Sequence, residues 1–190
     1  MTQFPSDLRF ASLLQYSPRG TSQTSADSRK VINKIKNDGY FGQVPAIPYS
    51  IEKLSAALNT VTFLAKYLGN DVTLIPVPRS SLTQPGSLWP ADRICDCLVT
   101  KGLGADISRC LKRITPVAKA AFAPPGQRPE PKDRGSSFIG MYPHVRAAFP
   151  NATIQCFALI RTMSSGDVAN ILNPIEGFIS FKNGTLNRHP

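Results

Sequence analysis

The sequence predicts an α/β fold built on a parallel sheet, with a loop-and-helix region at its N-terminal side. Three observations carry this expectation. Short apolar, β-branched runs stand at Asp71–Pro78 and Thr153–Arg161, helical apolar stripes lie between and around them, and polar or glycine-containing loops follow the runs. At 190 residues the chain fits one compact domain, long enough to bury about 70 % of its unfolded surface.

Residues 1–48 read as loop-rich, with Tyr16-Ser17-Pro18-Arg19-Gly20 followed by a helix from about Ser25 to Asn37. A clearer helix follows. Leu54, Ala57, Leu58, Val61, Leu64, Ala65 and Leu68 recur at helical spacing, and Gly69 ends the run. That stripe reads as packing. DVTLIPVP, from Asp71 to Pro78, is the pattern of a buried strand, and it enters a polar loop at Arg79–Ser87. A helix then starts near Trp89 with Pro90 in its first turn. It carries Ala91, Ile94, Cys95 and Leu98 on one face, and Gly102 and Gly104 close it.

Ile107–Ile114 reads as a second strand, short enough to be helical instead. Thr115–Asp133 contains Pro116, Pro124, Pro125, Pro129 and Pro131, and has no periodicity. A stretch of that length inside a compact domain is a functional lid or a disordered loop. Arg134-Gly135-Ser136-Ser137 leads into a helix with Phe138, Met141, Tyr142, Val145 and Phe149 on one face. TIQCFALIR, Thr153–Arg161, is a near-continuous apolar strand of the kind covered by helices on both faces, and Phe178–Phe181 is a candidate last strand.

Composition narrows the function classes. Apolar residues make up 42 % and charged residues 18 %, which excludes wholesale disorder. No stretch approaches the roughly 20 apolar residues of a membrane span. Met1–Leu14 contains Asp7 and no sustained apolar core, unlike a secretory signal. Cys95, Cys97, Cys110 and Cys156 lie in apolar or helical patterns without a CxxC or a Cys/His cluster. They read as buried free thiols in a reducing compartment, so a cytoplasmic protein is expected. The net charge of +10 points to an anionic partner: a phosphorylated metabolite, nucleic acid or an acidic surface. The basic residues are dispersed, with no run of five and no aromatic interleaving, so a merely solvated basic surface accounts for them equally well.

Three stretches could carry chemistry. At the strand exit Pro78-Arg79-Ser80-Ser81, an arginine and two hydroxyls can donate to phosphate oxygens; the plain alternative is a serine-rich turn. At Arg134-Gly135-Ser136-Ser137, glycine allows close backbone approach and the helix N-terminus adds amides and hydroxyls, a phosphate cradle or simply an N-cap. The proline-rich loop carries Lys112, Arg113, Lys119, Arg128 and Lys132, which suits closure over a polyanion or a solvated linker. His144, in mid-helix, reads as a surface or satisfied residue rather than a base, and His189 lies in the tail. There is no nucleophile elbow, Walker loop or metal-ligand spacing.

Taken in order, these pieces resemble the type I phosphoribosyltransferases, particularly their ComF-like and amidophosphoribosyltransferase-like bacterial members. DVTLIPVPRSS looks like the first core strand and pyrophosphate loop, and SLWPADRICDCLVTKGLG with ISRCLKRI like the next helix and strand. Lys119–Lys132, with Arg128-Pro129, is similar to the flexible loop over the active site. RGSSFIGMYPHVRAAFPNATIQCFALIRT resembles the end of the 5′-phosphate loop, its helix and the following strand. The likeness covers roughly residues 71–163. It implies a phosphoribosyltransferase-like core over 71–181, an N-terminal accessory or hood region over 1–70 and a tail over 182–190.

The function that the resemblance implies is binding of phosphoribosyl pyrophosphate. If the chain is active, it would transfer the phosphoribosyl group to a nitrogen acceptor with release of pyrophosphate, using Mg²⁺. Pro78, Arg79, Ser80 and Ser81 would hold pyrophosphate, Arg134, Gly135, Ser136 and Ser137 the 5′-phosphate, and Lys119 or Arg128 would close over the top as catalytic residues. A homodimer is among the open oligomeric states.

One element departs from that pattern. The family's apolar strand ending in two acids, directly before the phosphate loop, is not found. Asp133 stands where a threonine is expected, and Arg128-Pro129-Glu130-Pro131-Lys132 cannot be a central strand because two prolines would remove ladder hydrogen bonds. No adjacent acidic pair occurs anywhere in the chain. A deletion between about Lys132 and Arg134 is the expectation. It opens a second reading, a catalytically impaired relative that binds a phosphorylated ligand or a partner protein, with a basic nucleic-acid-binding module as the third.

Overall fold

A computed structural model of the chain describes residues 7–116, 138–163, 166–182 and 185–189. The fold is mixed α/β. Its largest sheet has four strands, β1 (Leu8–Tyr16), β6 (Cys156–Thr162), β7 (Leu172–Lys182) and β8 (Thr185–His189), in the order β6-β1-β7-β8. β1 runs parallel to β6 and antiparallel to β7, and β7 and β8 form a hairpin. Two smaller sheets complete the set: the hairpin of β2 (Tyr40–Phe41) and β3 (Val44–Pro45), and the parallel pair β4 (Thr73–Leu74) and β5 (Asp106–Ile107). Only part of the sheet structure is therefore parallel.

The inner strand β1 falls in the region read as loop. LRFASLLQY is buried along almost its whole length and is covered on both faces, so it lacks the alternation of a half-exposed strand. Leu8 and Phe10 face a small core with Cys156, Ile179, Phe138 and Tyr142. Ala11, Leu13 and Leu14 join the larger core with Ile47, Ile51, Leu54, Leu98 and Leu159. The pairing register with β7 shifts between Ser12 and Leu14, where one β1 residue stands opposite two on β7, while the register with β6 runs on unbroken. That shift also accommodates Pro174 in β7, since Ser12 pairs with Ile175 and Leu14 with Leu172.

The helices are α1 (Gln23–Lys36), α2 (Ala46–Leu58), α3 (Pro90–Thr100) and α4 (Phe138–Ala148). α1 starts two residues before the expected position, because the Ser22 side chain accepts the Ser25 N–H as its cap. The stripe expected as one helix from Leu54 to Leu68 is divided. α2 ends at Leu58, and a 3₁₀ turn covers Thr62–Lys66. Asn59, Thr60, Val61 and Thr62 are all weak helix formers, which explains the break, yet Leu54, Leu64 and Leu68 still reach the same core. α3 agrees with expectation: Pro90 lies in its first turn, and Gly102 follows it at φ +70°. Among the described residues no helix is long and apolar enough to cross a membrane.

Three further expectations are corrected. The strand foreseen over Asp71–Pro78 pairs only at Thr73 and Leu74, because Pro76 and Pro78 have no N–H to donate. Ile107–Ile114 pairs at Ile107 alone, together with Asp106. The last strand is longer than Phe178–Phe181, and the stretch read as a tail contains β8. The helix after residue 137 matches α4, with Arg146 donating to the carbonyls of Pro150 and Ala152 at 2.8 Å each and so holding the turn into β6.

Within β1 the Ser12 hydroxyl is buried and has no hydrogen-bond partner among the described residues, while Leu13 is wholly buried in the main core. Leu13→Ala is expected to cost about 2–5 kcal/mol. Ser12→Ala should be neutral or stabilising, within about 1 kcal/mol, since it removes a polar group that pairs with nothing. Denaturant unfolding of both variants checks the contrast.

Candidate functional site

In an α/β sheet, ligands bind at the carboxyl ends of the parallel strands. β4 ends in the loop Pro76–Ser81. Pro78 is buried, Arg79 and Ser80 are half-buried and Ser81 is exposed. Three contacts hold this loop from behind. The Trp89 indole N–H donates to the Val77 carbonyl at 2.9 Å, the Arg79 guanidinium donates to the Leu88 carbonyl, and Arg113 donates to the Arg79 carbonyl. The far end of the loop is a turn in which Ser87 N–H reaches the Gln84 carbonyl at 3.0 Å and Gly86 takes φ +72°. The Arg79 contact with Leu88 was not foreseen; it gives that side chain a part in shaping the loop as well as charge.

The hydroxyls of Ser80 and Ser81 make no hydrogen bond among the described residues, so they keep donors for a ligand. The structure thus brings Arg79, Ser80, Ser81 and Arg113 to one strand end. Asp92 and Asp96, on the helix that follows, are both committed to Arg109, at 2.7 and 2.8 Å. Lys119, Arg128, Arg134, Gly135, Ser136 and Ser137 lie outside the described residues. Among those described, no group of three or more His, Cys, Asp or Glu side chains comes together.

A second polar cluster, which sequence reasoning missed, lies where β1 and β6 end side by side at Tyr16 and Thr162. Ser17, Ser25 and Ser28 are buried there. The Ser17 hydroxyl donates to the Gly166 carbonyl at 2.6 Å and accepts from Gly20 N–H at 2.8 Å. Arg29 donates to the carbonyls of Ser17 and Gly20 at 3.1 and 2.7 Å. Asp167 accepts from Ser22 N–H at 2.8 Å and from the Ser25 hydroxyl at 3.0 Å, and the same Ser25 oxygen accepts Val168 N–H at 2.9 Å. The chain's own carboxylate therefore fills the N-terminus of α1, where an anion would otherwise bind. Serines at positions 17, 22, 25 and 28 were the available signal, but their partner is about 140 residues away in the sequence.

The remaining titratable groups bear on stability more than on chemistry. Burial pushes the Cys95 thiol up to about 12 and raises those of Cys97 and Cys156, so these stay protonated. Cys95 and Cys156 are buried as expected, whereas Cys97 is half-buried and Cys110 exposed. His144 is exposed, and His189 lies in β8, stacked on Phe178 at 4.6 Å between ring centres. Comparison with protein-family models, curated proteins and solved structures finds no match for this chain.

The hydrogen bond from Ser22 N–H, followed by that from Ser25, lowers the Asp167 pKa below the ordinary carboxylate value. A lowered folded pKa stabilises the fold above the unfolded value of about 4, and that contribution is lost as pH falls through the folded value. Asp167→Asn should leave a shallower loss of stability with acid than the parent chain shows, measured as denaturation midpoints from pH 7 down to acid.

Proposed function

We propose that the chain binds a phosphorylated ribose-type ligand, with Pro78, Arg79, Ser80 and Ser81 receiving its phosphate or pyrophosphate end on a type I phosphoribosyltransferase-like core. The observation that carries this reading is the pair of uncommitted hydroxyls at Ser80 and Ser81. They sit on a loop whose backbone is already fixed by Trp89, Arg79 and Arg113. A loop fixed in advance loses little conformational freedom when it binds. Arg79 uses one of its five N–H donors on Leu88, and its charge remains available for a phosphate. The net charge of +10 favours encounter with any polyanion.

In the transfer reaction that the resemblance implies, a nitrogen acceptor attacks C1 of the ribose and pyrophosphate leaves. This chain's part would be to hold the leaving pyrophosphate on Ser80, Ser81 and Arg79. Positive charge developing on the ribose calls for nearby carboxylates. The commitment of both Asp92 and Asp96 to Arg109, and the lack of an adjacent acidic pair in the sequence, favour the second reading: binding without transfer.

Calorimetric titration with phosphoribosyl pyrophosphate, pyrophosphate and ribose 5-phosphate, with and without Mg²⁺, tests the proposal. The parent chain should bind at least one of them, and the double change Ser80→Ala, Ser81→Ala should weaken that binding by about tenfold or more without altering thermal stability. Absence of binding to all three would remove the proposal. Release of pyrophosphate with an amine acceptor would assign transfer, and saturable binding without release would assign the non-catalytic reading. Binding of DNA or RNA that falls steeply with salt would instead favour the nucleic-acid module.

A further inference from the structure

The four-stranded sheet ends at β6 and the parallel pair at β4, and among the described residues nothing pairs with the outer edge of either. A cavity of about 760 Å³ lies against both strands. Its lining includes every residue from Cys156 to Ile160 of β6, and every residue from Asp71 to Val77 through β4. Side chains alternate between the two faces of a strand, so a cavity over one face would meet every second residue. A cavity that meets each residue in turn runs along the strand's edge. Helices close it on both sides. α3 contributes Ile94 and Leu98 from the main core, and α4 contributes Phe138 and Tyr142 from the smaller one.

The walls are apolar, but a strand edge also presents main-chain groups. Met163 N–H donates to the Tyr16 carbonyl at 2.8 Å, and alternation then turns the N–H groups of Ala158 and Ile160 away from β1. We propose that this slot receives an extended apolar peptide segment from another polypeptide, which pairs through its main chain with β6 and β4 and joins the two sheets into one. A small apolar molecule would fill the volume and leave both rows of backbone groups unpaired, which is unfavourable for each buried group. A strand satisfies the rows and the walls together, as in β-strand addition to a sheet edge.

Helices above and below require a segment apolar on both faces. The charged lining residues are Lys36, Lys66 and Asp71 on a chain of net charge +10, so acidic flanks suit the segment. The chain's own sequence between Pro116 and Phe138 is poor material for the role. Pro124, Pro125, Pro129 and Pro131 interrupt it from residue 124 onward, and four of the seven residues from Val117 to Ala123 are alanine. A second copy has no spare strand to lend, because each described strand already has a partner.

The test uses the full chain and a labelled peptide of about six valine and isoleucine residues, a usual strand length, flanked by aspartates. Fluorescence anisotropy reads binding, and amide hydrogen exchange by NMR reads pairing. Saturable binding is expected, with exchange at Ala158 and Ile160 slowed by about tenfold or more. The same peptide methylated at alternate amide nitrogens should bind about tenfold more weakly or worse, because it cannot donate to an edge. Four results would overturn the proposal: no binding, equal binding of the methylated peptide, no new protection at those two amides, or full protection of both in the free chain.

Discussion

The structure depends on β1 being bonded along both edges and covered on both faces. Seven of the strand's nine residues are buried, so its pairing leaves little latitude. β6 must lie parallel on one side and β7 antiparallel on the other, and the strand sends Leu8 and Phe10 to one core and Ala11, Leu13 and Leu14 to the other. On the neighbouring strand β7, the close approach of the β8 backbone together with the Phe10 ring selects glycine. A Cβ at Gly177, which pairs with Phe10, would collide with the His189 carbonyl oxygen and crowd the Phe10 ring at 3.1 Å. Where β1 ends, the chain must turn at once into α1, and the Ser17–Ser28 cluster with Asp167 is the polar lining of that turn.

The second constraint acts on β4. Proline at 76 and 78 removes two donors from a strand that would otherwise extend towards Ser80, so the pairing with β5 covers only two residues on each strand. The loop beyond is fixed by side chains in place of a ladder: the Trp89 indole, Arg79 and Arg113. The same prolines that shorten the sheet therefore make the loop dependent on its own polar contacts. That is how a backbone can be held still while the hydroxyls of Ser80 and Ser81 make no hydrogen bond among the described residues.

Elements with strong local signals were legible in the sequence. α3 shows its proline start and glycine stop, and β6 shows as an apolar run after the α4 stripe. β1 was not legible, because Arg9, Ser12 and Gln15 interrupt the run, and only the packing of β6, β7 and the helices places Ser12 and Gln15 inside while Arg9 stays exposed. Only the end of β7, Phe178–Phe181, was legible, because Pro174 and Gly177 interrupt its first part, and their places are explained by a register shift and a close contact that no local pattern encodes. Of the candidate site, Pro78–Ser81 could be read from its position after a strand. The bond from Arg79 to Leu88, the commitment of Asp92 and Asp96 to Arg109, and the pairing of Ser25 with Asp167 could not, since each is a matter of tertiary geometry.

The strand-end loop and the slot share β4, and this links the two readings physically. Pro76 and Val77 line the cavity, and the Val77 carbonyl is the acceptor that ties the loop to Trp89. A segment bonded along the outer edge of β4 would lengthen a two-residue pairing and restrict the backbone from which Arg79, Ser80 and Ser81 project. Restricting it before the ligand arrives lowers the entropy lost on binding. By linkage, a ligand held on those hydroxyls must favour the paired edge by the same factor. A chain whose sheet is divided in this way has the loop proposed for anion binding on the same short strand as an edge that pairs with nothing among the described residues, and coupling between the two proposed sites would need no change in the loop's own residues.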